Sequence, residues 1–240
     1  MVARRPPAAM VSQTRYIETS GTGTRRGELA IESLADIAYR VIADRLIMLD
    51  IRPNVSINES QLSKEMQMGR TPIREALHRL EHERLVVTQP RKGAFAAPID
   101  ITELSEVSQI LQILEPVAAK LAAENLRDAD RPEIERYLGL VESLGSREVD
   151  QNDLLRLDLA VHSAIFALVR NGHLEEILLR YGKLATRIWL AVLERRPLVV
   201  ERISELAPIL RAILARNADE ASSLMAAHVR DFSRHIANVV

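Results

Sequence analysis

Residues 69–81 read GRTPIREALHRLE, and no other stretch constrains the chain so tightly, because its two faces cannot serve the same purpose. At about 100° per residue, Ile73, Ala76, Leu77 and Leu80 cluster on one side, which predicts a helix pinned to a core by that side. Thr71, Arg74 and His78 point the opposite way, with Arg70 beside them at the N-terminal end. Pro72 falls in the first turn, where its missing N–H costs nothing. The free N–H groups of that turn and the helix dipole already favour anions. Arginine forks match phosphate oxygens or the O6/N7 edge of guanine, so the cationic side suits DNA. A solvated amphipathic helix has a similar pattern, and the neighbouring elements must decide between the two.

Those neighbours are legible. Leu34, Ile37, Ala38, Val41, Ile42 and Leu46 follow helical spacing from Leu34 to Leu49, and Arg52-Pro53 stops that helix. Asn58-Glu59-Ser60-Gln61 predicts an N-cap with a glutamine three residues on, opening a short helix that carries Leu62 and Met66. A tight break at Gln67-Met68-Gly69 precedes the third helix. Leu85-Val86-Val87 and Ala94-Phe95-Ala96 are short β runs around Gln89-Pro90-Arg91-Lys92-Gly93, whose Pro and Gly suit a hairpin turn. Helix, helix-turn-helix and a hairpin with a basic tip make a winged helix. Such a module docks its recognition helix in the major groove of duplex DNA. Arg91 and Lys92 then sit where a wing reaches phosphate or the minor groove. Only 3% of residues are aromatic, which argues against base-stacking modes for single strands or RNA.

After Pro98 the strand signal vanishes. Residues 102–124, 131–145, 151–170, 174–195, 199–216 and 217–238 read as helices, an all-α second domain of about six helices. The expected fold class is therefore mainly α: an N-terminal winged helix-turn-helix followed by a helical bundle. The expected division is a flexible basic arm over 1–27, a DNA-binding domain over 28–98 and a helical domain over 99–240. Net charge is only −1, but residues 1–98 carry 15 basic and 11 acidic side chains, while 99–240 carry 17 and 22. That asymmetry agrees with a basic binding module joined to a different domain. No cysteine is present, which excludes disulfides, thiolate metal sites and cysteine nucleophiles. No apolar run is long enough to span a bilayer and none resembles a signal peptide, so a cytoplasmic location is expected.

In the helical half, Asp158 and His162 are four residues apart and share one helix face, a spacing at which carboxylate and imidazole can bind a divalent cation. His228 lies among mostly apolar neighbours. A buried hydrogen-bonded couple is the plainer reading of such residues. A metal-dependent hydrolase built on Asp158, His162 and His228 is another, though no general base or oxyanion donor stands at a telling spacing.

The stretch from Ile42 to Ala97, with RPNVSINESQLSKEM, GRTPIREALHRLEHERLV and QPRKGAFAA, resembles the DNA-binding domain of the GntR family of bacterial transcription regulators. The resemblance implies that Arg70, Thr71 and Arg74 contact operator bases and phosphates, with the Gly93 wing inserting nearby. Where that family usually has Gly-Val-Ser, this chain has Gln67-Met68-Gly69, so the cap of the third helix moves to a bare glycine or to Thr71. The helical half resembles the FCD effector domain of the FadR-type branch. This implies a bundle with a central cavity for a small metabolite, a homodimer on palindromic operator DNA, and no enzymatic activity. It also implies a metal set of one aspartate and three histidines. Asp158, His162 and His228 fall on three of those positions, but the fourth holds Leu206. Leu111 stands where an arginine often grips effector carboxylates. Three ligands still suit zinc or a similar ion, more weakly, and the two leucines point to a less acidic or more hydrophobic effector. A regulator whose bundle is purely structural is the remaining alternative.

Overall fold

Ser33 opens α1 (Leu34–Ile47) by accepting a hydrogen bond from the Asp36 amide. The computed structural model describes the backbone of residues 32–144, 149–192 and 196–237. The arm expected over 1–27 lies outside these. α2 (Glu59–Glu65) is capped as its sequence predicts, Asn58 Oδ1 accepting from the Gln61 amide at 3.0 Å. The reciprocal half of the box does not form. Gln61 donates instead to Glu65 Oε1, one turn further on. α3 (Arg70–His82) starts at Gly69, which has no side chain to cap it.

β1 (Val86–Gln89) and β2 (Gly93–Ala96) pair antiparallel, with Val86 opposite Ala96 and Gln89 opposite Gly93. Gly93 turns the tip at φ 91°, a conformation that costs a glycine little. A bridge from Ser56 to Phe95 gives β2 a second neighbour that the apolar pattern does not announce. Ala38, Ile42, Leu46, Ile73, Ala76, Leu80, Leu85 and Ala96 close the small core beneath these elements.

Among the described residues seven helices follow: α4 (Glu103–Asn125), α5 (Arg131–Glu142), α6 (Gln151–Ala167), α7 (Gly172–Val192), α8 (Arg196–Ser204), α9 (Leu206–Leu214) and α10 (Ala218–Ala237). The single helix expected over 199–216 is two, parted at Glu205. Pro208 supplies the reason: its ring would clash with the carbonyl of Ser204 in a continuous helix, and it has no N–H to return. α4 runs along α10 and also meets α7 and α9. None of the described helices is long and apolar enough to cross a membrane.

The two halves are joined by more than the linker. Arg156 on α6 forks onto Asp44 of α1 at 2.9 and 3.0 Å. Lys183 on α7 reaches Glu83 at 2.9 Å and also the Tyr39 hydroxyl, which itself donates to Glu83. Arg187, one turn along α7, is 2% exposed and donates to the carbonyls of Leu46 and Ala97. Burial pushes its pKa down to about 10, which still leaves it charged at neutral pH.

Candidate functional site

α3 divides as its sequence dictates. Ile73, Ala76, Leu77 and Leu80 are buried, while Arg70, Thr71, Arg74 and His78 are exposed. Arg91, Lys92 and Gly93 are exposed at the hairpin tip. Arg74 is not wholly free, because its Nε donates to Glu59 Oε2 of α2 at 2.8 Å. The pair leaves the Nη groups of Arg74 uncommitted, and the side chain stays 65% exposed. Glu59 was not singled out by the sequence, since an exposed acid at the start of a helix is commonplace.

The second site lies inside the helical half. Asp158, His162 and His228 are all buried, and one ligand atom from each lies within 4.8 Å of the others. α6 presents Asp158 and His162 through the four-residue spacing, and α10 brings His228. His162 Nε2 is 3.8 Å from Asp158 Oδ1, and the two imidazoles stack at 5.5 Å between centroids. Burial, reinforced by the charge of Arg202, holds the His228 pKa well below its usual value, so the ring is neutral and able to donate a lone pair.

The donor set fits a divalent cation. Asp158 Oδ1 and both Nε2 atoms are buried with no hydrogen-bond partner, and two imidazoles with one carboxylate are a ligand set that suits zinc. Leu206 and Leu111 are buried in the hydrophobic core, and neither has a ligand atom to offer a cation.

Three groups here were missed by spacing alone. Glu115 of α4 is buried with Oε2 3.4 Å from His162 Nδ1. Burial raises its pKa above the usual carboxylate range, against the pull of His162 and Arg202. A signal for it exists: Glu115 interrupts the buried stripe of Leu111, Ala118, Ala119 and Ala122, where an acid costs free energy. Glu205 stands 2.8 Å from His228 Nδ1. Arg202 of α8 stands 4.0 Å from Asp158 and over the Trp189 ring at 5.2 Å. Neither of these last two is visible without the α8–α9 break.

The profile of the FCD domain matches residues 106–231, and that of bacterial regulatory proteins of the gntR family matches residues 34–96. The chain is 28% identical over 193 residues to the Nta operon transcriptional regulator of Aminobacter aminovorans, spanning 79% of this chain and 88% of that protein. It is 28% identical over 198 residues to the HTH-type transcriptional repressor GlaR of Escherichia coli (strain K12), spanning 80% and 90%. Among solved structures, E. coli McbR/YncC superposes with a TM-score of 0.72 at 20% identity, over 87% of this chain and 99% of that one. A GntR regulator from Rhodococcus sp. RHA1 gives 0.64 at 21% identity, over 85% and 97%. At such identities the structural likeness establishes the fold. The profiles and the named relatives favour regulation over the hydrolase alternative.

Proposed function

Because this chain belongs to the gntR family of bacterial regulatory proteins, in the branch that carries an FCD domain, we propose that it reads operator DNA through Arg70, Thr71 and Arg74 and steadies itself with the wing residues Arg91, Lys92 and Gly93. Transcription regulation by DNA binding, tuned by a ligand in the helical domain, is what that family does. The observation that carries the residue assignment is the division of α3: four apolar side chains sealed in a core, and three polar ones left outside at a helix N-terminus. Phosphate contacts position such a helix, and base contacts make it specific.

The functional units in this reading are a DNA-binding domain ending near Pro98 and an effector domain from Ile99 onward. The protein acts in the cytoplasm as a regulator rather than an enzyme. It works as a homodimer, since half-sites of a palindrome lie roughly 34–36 Å apart and one winged helix covers only one of them. The repressor GlaR among its relatives supports repression as the outcome. Asp158, His162 and His228 would hold a divalent cation such as zinc, which supplies a Lewis-acidic point for an effector oxygen. Beside it stands the guanidinium of Arg202, 4.0 Å from Asp158. An effector that favours one arrangement of the two halves by about 1–3 kcal/mol is enough to change operator occupancy.

The test is a salt titration of operator and random duplex binding. Arg74→Ala is expected to cost about 1–3 kcal/mol on the operator and to relax discrimination, whereas Lys92→Ala should lower the salt slope by about 1 with little effect on discrimination. Equal losses on both DNAs from both variants would remove the assignment.

A further inference from the structure

Two carboxylates, Glu115 buried and Glu205 about half exposed, stand behind the imidazoles rather than among the donors. Glu115 Oε2 faces His162 Nδ1 at 3.4 Å, and Glu205 Oε2 faces His228 Nδ1 at 2.8 Å. On the other edge of each ring, Nε2 is buried and has no hydrogen-bond partner, and at His162 the approach of Glu115 to Nδ1 is a close contact short of a hydrogen bond. In its ionised form, which a divalent cation beside Asp158 would favour against the burial of Glu115, a carboxylate only accepts hydrogen bonds, so a neutral ring beside it keeps its proton on Nδ1 and leaves its lone pair at Nε2. His162 Nε2 lies 3.8 Å from Asp158 Oδ1, and one ligand atom each of Asp158, His162 and His228 falls within 4.8 Å of the others. In known metal sites, a carboxylate at the second ring nitrogen fixes the tautomer and orientation of the imidazole and raises its basicity.

We propose that Glu115 and Glu205 are the positioning residues of this centre, locking His162 and His228 in the tautomer that offers both Nε2 lone pairs, with Asp158, to one divalent cation. This rests on the cation reading given above. Two features set these acids apart from ordinary salt-bridge partners. Glu115 lies in an alanine- and leucine-lined stripe of α4, where helix packing alone would be better served by an apolar residue. Glu205 occupies the break that Pro208 imposes between α8 and α9, so the interruption itself delivers a carboxylate to His228. The two acids reach the two histidines from different helices, and each meets the same ring nitrogen.

The experiment uses the full chain and zinc(II) as probe. Affinity is measured by competition with a chelator, and melting is followed in excess EDTA, for Glu115→Gln, Glu115→Leu, Glu205→Gln and Asp158→Ala. Each glutamine variant is expected to bind zinc about 10–100-fold more weakly. Glu115→Leu should lose at least as much affinity, yet melt in EDTA no lower than the unaltered protein, because a buried acid has been removed from an apolar stripe. A merely structural Glu115 would give the opposite pattern, lower melting with unchanged affinity, and would overturn the proposal. Tight zinc binding that vanishes in Asp158→Ala but is unchanged in both glutamine variants sinks the positioning role and leaves the cation reading standing. No zinc binding by the unaltered protein removes both.

Discussion

Arg74 and Glu59 show how one residue can be poised without being spent. An exposed ion pair contributes only about 0–1 kcal/mol, so a phosphate or a guanine edge can replace Glu59 at little cost. In the proposed DNA-binding role, the carboxylate holds the arginine stem in place beforehand and reduces the rotamer entropy that binding must remove. Gly69, the N-cap of the same helix, is a weaker point. Its φ of −63° and ψ of 167° suit any residue, and an added Cβ would meet only Pro72 Cδ, at 3.9 Å. Gly69→Ser should therefore supply the missing cap and raise stability by a few tenths of a kcal/mol, read as a higher urea midpoint. A lower midpoint would show that the serine hydroxyl does not reach the free amides of the first turn.

At the scale of elements, α6 and α7 each grip the DNA-binding half at one point and border the buried centre at another. α6 carries Arg156, on Asp44, two residues before Asp158. α7 carries Lys183, on Glu83 after α3 and on Tyr39 of α1, and Arg187, on α1 and the linker, and then Trp189, against which Arg202 rests. A ligand that shifts either helix therefore acts directly on the seating of α1. Arg187 is the most committed of these links. Its guanidinium serves two backbone carbonyls, one at the C-terminal end of α1 where the helix leaves acceptors unsatisfied. Arg187→Leu should cost about 2–4 kcal/mol in denaturant unfolding, since two bonds from a charged donor are lost and both carbonyls stay buried. Arg187→Lys should not restore it, because a single ammonium lacks the planar fork that spans both acceptors. A leucine variant as stable as the unaltered chain would mean that desolvating the guanidinium offsets everything its bonds contribute.

For the whole molecule, the question is what covers the outer side of α4. Ile113 is 68% exposed and Val117, one turn on, is 47% exposed, while Ile177 of the neighbouring α7 is 41% exposed. Neighbouring apolar side chains in water are commonly an association surface. On the proposed reading of a palindromic operator, a second copy is the occupant that makes functional sense. Replacing Ile113 and Val117 together by aspartate should give monomers in sedimentation and weaken operator binding at least tenfold, with the circular dichroism of the helical fold retained. A dimer that survives both changes would place the association surface elsewhere.

Sequence alone determined what local rules control. The amphipathic split of α3 followed from period and charge, the start of α2 from Asn58, the turn of the wing from Gly93, and the Asp158–His162 pair from four-residue spacing. Each depends on residues within a turn or two of one another, where geometry is set by the backbone itself. The tertiary structure alone decided that Glu115 and Glu205 stand behind the histidines and that Arg187 is buried across the two halves. These pairings join residues 23 to 141 positions apart, and no local period encodes such distances. Only the packing of α4, α6, α7 and α10 brings them together.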